Sequence, residues 1–176
     1  PDEGLDINLS YEELSTPRNT YDECVDYIVA EFEEAAIHLE QERSTAYLGM
    51  ATKGAALAAR AKVLLYAASP LYNGNHDLFE LKDEAVNPSI NQNYDERKWA
   101  RAAAAAEEVI NTGWYELYTV TVSEETVLPP AEVRSREFPY GCGGIDPYES
   151  YRQLFNGAIR DMKDNREFIF YRQFNN

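Results

Sequence analysis

The segment from Gly54 to Ser69 most constrains what this chain can fold into. It reads Gly-Ala-Ala-Leu-Ala-Ala-Arg-Ala-Lys-Val-Leu-Leu-Tyr-Ala-Ala-Ser, apolar nearly all round and interrupted only by Arg60 and Lys62. A helix that is apolar on most of its circumference has to be covered on most sides. Thr52 can cap its start, and Pro70 ends it, because the residue before a proline resists helical geometry. Its two internal charges and short length argue against a membrane span, which needs roughly 20 apolar residues. Other helices of the same chain must therefore do the covering, and the alanines let them come close.

Candidates for that role lie on either side. Thr20-Tyr21-Asp22-Glu23 is a capping box, in which the Thr20 hydroxyl accepts from the Glu23 amide and the Glu23 carboxylate reaches back. Behind it Tyr21, Cys24, Val25, Ile28, Phe32, Ala35, Ala36 and Leu39 recur at three- and four-residue steps, which predicts an amphipathic helix over about 20–40. Asp95 is placed to cap a helix over about 96–112, with Trp99, Ala102, Ala103, Ala106, Val109 and Ile110 read as its apolar face. Gly113 stands where a left-handed C-terminal cap belongs. Tyr151, Leu154, Phe155, Ala158, Ile159 and Met162 predict a fourth helix over about 149–163.

The rest reads as connection. Residues 1–19 show no helical period and read as an extended entry segment; 71–94 read as a loop broken at Asn73-Gly74-Asn75 and Asn87-Pro88-Ser89. Residues 119–148 form an irregular loop in which only Thr119-Val120-Thr121-Val122 alternates as a short strand does. The expectation is one helical domain over 1–176, mainly α, built from two helical hairpins that stack as in an α-α superhelix, with long irregular loops. No strict 34-residue repeat is visible.

Composition narrows the function. The 176 residues hold 16 Lys+Arg against 31 Asp+Glu, a net charge of −15, which opposes binding to phosphate backbones. Residues 1–50 carry 13 of the acids and 2 bases, so the front of the chain presents a solvated acidic face. Hydrophobic residues make up 44%, enough for a core. No basic region followed by an apolar stretch marks a signal peptide, and the opening Pro1-Asp2-Glu3, without Met, leads us to expect a piece of a longer protein. Cys24 and Cys142 are too few for a disulfide scaffold; they could pair or stay free.

Catalytic constellations are poor. His38 and His76 belong to no His-Glu-x-x-His pair, and no phosphate-cradling glycine motif occurs. Cys142 has no histidine near it in sequence to activate it. Asp161–Glu167 faintly resembles a calcium loop but lacks its glycine and its final acid. No cofactor and no metal is expected. Aromatic residues stand out instead, with 13 Tyr, 7 Phe and 2 Trp. Their rings can stack on the apolar faces of sugars. Tyr72, Phe79, Tyr94, Phe138, Tyr140 and Tyr148 fall in loops, near Asn73, Asn75 and Arg136.

The order of elements carries a resemblance. Tyr21–Ala36, the stretch Thr52-Lys53-Gly54 through Pro70-Leu71-Tyr72, Trp99–Glu107 with Gly113-Trp114-Tyr115-Glu116-Leu117, and Glu167-Phe168-Ile169-Phe170 together resemble the SusD-like (SusD/RagB) family of outer-membrane nutrient-binding lipoproteins. The resemblance runs over about 17–118 and 148–174, and the middle helix is its most specific part. It implies tetratricopeptide-like hairpins and a non-catalytic protein on the outer face of a Bacteroidetes-type cell. Such a protein captures oligosaccharides, or in some members peptides, and passes them to a SusC-like TonB-dependent transporter. No nucleic-acid partner is implied, and membrane attachment would come only through a lipid anchor outside this chain. Tyr140, Tyr148, Arg172 and Phe174 are the residues expected to touch the ligand, being in the irregular segment and at the exit of the last element. Two other readings stand beside it: a protein–protein adaptor built on the same helices without glycan binding, and a hydrolase that would turn the sugar over.

Overall fold

The computed structural model describes residues 6–15, 18–44, 47, 49–82, 88–127, 130, 143–156 and 165–170. The fold is mainly α: α1 (Tyr11–Leu14), α2 (Tyr21–His38), α3 (Lys53–Ala68), α4 (Arg97–Asn111) and α5 (Pro147–Phe155). To these it adds a 3-10 turn at His76–Leu78 and an antiparallel ribbon of β1 (Val120–Thr121) and β2 (Ile145–Asp146). The chain divides into two compact units. One comprises Pro1–Glu42 with Ala51–Glu108, the other Arg43–Met50 with Val109–Asn176.

Helix ends fall where local chemistry puts them. The Glu23 amide donates to the Thr20 hydroxyl at 3.3 Å and the Thr20 amide to the Glu23 carboxylate at 2.7 Å, which holds that carboxyl below its usual range. The Thr52 hydroxyl accepts from the Ala55 amide at 3.2 Å. Ser69, ahead of Pro70, is extended at ψ 154°, so α3 stops there. Gly113 closes α4 at φ +65°, a conformation that costs glycine nothing. The entry segment departs from expectation. Ser10-Tyr11-Glu12-Glu13 is a second capping box, with the Glu13 amide donating to the Ser10 hydroxyl at 3.3 Å and the Ser10 amide to the Glu13 carboxylate at 2.9 Å. One helical turn therefore interrupts the extended stretch that the sequence suggests.

The core of the first unit is small-residue packing. Val25 and Val29 of α2, Leu64, Ala67 and Ala68 of α3, and Ala102 and Ala105 of α4 form one buried cluster, flanked by Tyr21, Ala61 and Val63. Tyr21 also stacks on Tyr72, ring centroids 4.3 Å apart, which anchors the start of the 71–94 connection to α2. Arg60 is buried and joins three helices, reaching Glu33 of α2 at 3.3 Å and Glu108 of α4 with its other terminal nitrogen. Lys98 meets Asp22 at 2.6 Å and Arg101 meets Asp26 at 2.8 Å.

In the first unit, two helix faces differ from their expected orientation. On α4 the inward residues are Ala102 and Ala105, while Trp99, Ala103, Ala106 and Ile110 face solvent. The ion pairs explain the rotation: Lys98 and Arg101 must reach α2, and Ala102 and Ala105 are what lies along the same edge. On α2, Val25, Val29 and Ala36 are buried, whereas Cys24 and Ile28 are exposed.

This geometry separates two alanines that the sequence treats alike. Ala105→Leu is expected to cost about 1–3 kcal/mol through overpacking. Ala103→Leu should stay within about 0.5 kcal/mol of the parent. Urea unfolding of both variants measures the difference, and equal costs would mean α4 is turned otherwise.

An aromatic row as candidate functional site

The second unit carries its distinctive chemistry on α5. Asp146 caps this helix: its carboxylate accepts from the Glu149 amide at 2.8 Å and from the Thr126 hydroxyl at 2.7 Å. Pro147 occupies the first helical position, where its fixed φ suits the helix and no donor is lost. The Ser150 hydroxyl donates to the Asp146 carbonyl at 2.5 Å and accepts from the Val120 amide of β1 at 2.9 Å. The Tyr118 hydroxyl donates to Gln153 at 2.8 Å. Residues 146, 150 and 153 thus tie one side of α5 to the strand region.

At about 3.6 residues per turn the opposite side then carries Tyr148, Tyr151, Arg152 and Phe155. Tyr148 is 62%, Tyr151 69% and Phe155 65% exposed. Tyr151 and Phe155 lie 5.2 Å apart between centroids, and Phe155 meets Phe168 edge-on at 6.0 Å. Phe170, also exposed, follows two residues on. Arg152 is held by Glu149 through bonds of 2.9 and 2.7 Å. Arg152, and secondarily Gln153, hold the Glu149 carboxyl below its usual range, and the pairing raises Arg152 in turn. A carboxylate so stabilised is a poor proton donor near neutrality. What the row offers is ring faces with hydroxyl and guanidinium edges. That set suits an amphipathic, hydroxyl-bearing ligand.

Of the residues expected to touch ligand, Tyr148 lies in this row. Tyr140, Arg172 and Phe174 fall outside the described residues, as do Phe138, Arg136 and Cys142. The sequence spacing puts Tyr151 and Phe155 on the buried stripe of their helix; they face outward instead, because Ser150 takes the inward position. Among the other loop aromatics, Tyr72 packs on Tyr21, Phe79 lies under Lys82 Nζ at 3.9 Å, and Tyr94 is 64% exposed. His38 pairs with Glu34 at 2.8 Å on an open helix face. Among the described residues no three His, Cys, Asp or Glu gather as metal ligands, and no helix is long and apolar enough to cross a membrane.

The first unit holds a cleft of about 340 Å³ between α2 and α4, floored by Val25, Leu64 and Ala67. Its charges are paired with one another: Asp22 with Lys98, Asp26 with Arg101, and Asp95 with Arg97 at 2.9 Å. It joins helices, and every charge that lines it already has a partner.

The fold has counterparts among solved structures. A structure of BT4246, a Bacteroides thetaiotaomicron protein, superposes with a TM-score of 0.67 over 99% of this chain at 24% identity. A selenomethionine form of BT4246 superposes at 0.60 over 90% of the chain at 26% identity. This chain spans less than a third of either, 31% and 28%. At such identity the likeness is one of fold. No family model matches the chain, and no curated protein matches it.

The cap makes a pH-dependent contribution. Asp146 is held below the ordinary aspartate range by the Glu149 amide first and the Thr126 hydroxyl second, against the opposing effect of burial. A depressed native value means the stabilisation is full above the unfolded aspartate value of about 4 and is lost as pH falls through the lower native one. Asp146→Asn should therefore be less stable than the parent at neutral pH, with the gap in thermal midpoint closing as pH drops below about 4. A gap that stays constant with pH would contradict this role.

Proposed function

We propose that this chain is part of a non-catalytic, SusD-like nutrient-binding protein that captures oligosaccharides at the outer surface of a Bacteroidetes-type cell and delivers them to a TonB-dependent transporter. The observation that carries the reading is the outward aromatic row of α5, Tyr148, Tyr151 and Phe155, with Arg152 at its edge. Large rings left in water along one helix face mark a surface that something else covers. The mainly-α fold, its likeness to a Bacteroides protein, and the order of the sequence segments support the same reading. Anchoring by a lipid and the identity of the transporter belong to this proposal as well.

The adaptor reading has one observation in its favour. Tyr27 and Ile37 are exposed on α2 beside Glu31 and Glu34, an arrangement suited to a basic protein surface. Capture by the α5 row predicts weak, salt-insensitive binding, since ring stacking on neutral sugars involves no counterions.

Titration of the intact protein with a panel of neutral oligosaccharides separates the two. Tyr151→Ala is expected to weaken binding about three- to tenfold, the worth of one good ring contact, with folding unchanged because the ring is exposed. If no glycan binds and the protein instead associates with a basic partner in a salt-dependent way, the adaptor reading replaces capture.

A further inference from the structure

Asparagine followed by glycine is among the most chemically labile steps in a polypeptide, and this chain contains it at Asn73-Gly74 and Asn156-Gly157. The reason is local. The side-chain carbonyl carbon of asparagine lies within reach of the next residue's amide nitrogen, and glycine has no side chain to obstruct the attack. The new N–Cγ bond forms, the Cγ–Nδ2 bond breaks, and Nδ2 leaves as ammonia with the proton taken from the glycine amide. Water then opens the succinimide ring at either carbonyl, leaving aspartate or isoaspartate. One water is consumed and one ammonia released, with no change of oxidation state.

At positions 73 and 74 the fold demands both residues. Gly74 has φ +83°, and a Cβ on it would stand 3.0 Å from the Tyr94 Cβ and 3.1 Å from the Tyr94 main chain. A larger residue there needs both a left-handed backbone and a displaced Tyr94. Asn73 is only 4% exposed. Its carboxamide oxygen accepts from the Asp95 amide at 2.8 Å, and its NH2 group donates to the Asp95 carbonyl at 3.0 Å. The same NH2 group reaches the Ala68 carbonyl, at the end of α3, at 3.4 Å. Asp95 in turn accepts from the Arg97 amide that opens α4, at 3.0 Å. An ionised aspartate at position 73 would have no proton to give either carbonyl. The labile step is thus built into the junction of α3 and α4.

The bonds that require the step also hold it unreactive. Attack needs the carboxamide to turn from Asp95 toward the Gly74 nitrogen, and it needs water to carry protons. Both are blocked while the Asn73 side chain is buried and bonded through its oxygen and its nitrogen. We propose that Asn73-Gly74 is a latent deamidation site, closed by the Asn73–Asp95 clamp and reached only when the segment joining α3 to α4 opens. The modification is self-locking. A carboxylate at position 73 faces two carbonyl oxygens, and isoaspartate adds a main-chain atom to a turn that already touches Tyr94, so the clamp does not re-form. Each opening of the first unit therefore risks a permanent chemical record, whatever the protein binds.

Peptide mapping by mass spectrometry tests this on the intact protein, incubated at mildly alkaline pH with and without denaturing urea. In urea, Asn73 should convert at the rate of an unconstrained Asn-Gly peptide. In the folded protein, conversion should be about ten- to a hundredfold slower, because the buried hydrogen bonds to Asp95 have to open first. Equal rates in the two conditions overturn the proposal. Asn73→Asp installs the product directly. It should lower the thermal midpoint or prevent folding, and an unchanged midpoint overturns the self-locking.

Discussion

The first unit depends on a buried seam of small side chains that joins α2, α3 and α4. Ala67 and Ala68 of α3 and Ala102 and Ala105 of α4 are buried with only Val25, Val29 and Leu64 as larger members of the cluster. Side chains this small bury little area each: α2 and α3 run close to one another, and α4 reaches them through Ala102, Ala105 and its charged side chains. Burial in that seam in turn forces the fate of Arg60. Its guanidinium has to be neutralised, and Glu33 and Glu108, one from each flanking helix, do so. Because both carboxylates remain half exposed, their own desolvation is modest, while the buried arginine would be poorly satisfied without them. Apolar contact between alanines is nearly blind to register, but a buried cation with two fixed partners is not. The pairs Asp22–Lys98 and Asp26–Arg101 extend the same constraint toward the start of α2.

That division of labour also sets what could be read from the sequence. Helix existence and helix ends were legible because they are local: the Thr20 capping box, the Thr52 cap, the Pro70 stop and the Gly113 turn each need only a few residues. Helix faces were not. Five alanines in a row at 102–106 give every side of the helix the same character, so nothing in their order favours one face. The choice between Ala103 and Ala105 was made by where Lys98 and Arg101 had to go, a tertiary fact. On α5 the aromatic spacing suggests a buried stripe, yet hydrogen bonds from Ser150 and Gln153 claim the inner side. A serine that bonds a strand amide leaves no mark in a periodicity of rings. The Ser10–Glu13 box has the same signature, but it opens a helix of a single turn with no apolar stripe behind it, so 1–19 reads as extended.

The candidate site shows the same pattern. Tyr148 stands out in the sequence because it follows a loop, and the structure places it on the outward row. Tyr151 and Phe155 do not, since their outward orientation follows from the Asp146 cap and the β1 contact that fix the helix about its own axis. Asp146 itself is visible as an Asp-Pro step yet carries more than a turn. It fixes the start of α5, ties it to Thr126, and shares with Ser150 the job of turning the rings to solvent.

Charge and proposed ligand bear on one another. A chain with a net charge of −15 surrounds itself with a negative potential that repels anionic solutes and attracts cations. A neutral sugar feels no such force to first order, so its capture must come from short-range contacts. The candidate surface on α5 is built in that way, from ring faces with hydroxyl edges. Among the described residues, the guanidinium groups of Arg152, Arg97 and Arg101 are each engaged by a carboxylate of their own. Using any of these three for a uronate would mean breaking its pair within a repulsive field, whereas a neutral glycan asks for neither. Under the capture reading, the acidic surface and these three pairs together favour a neutral ligand over an acidic one.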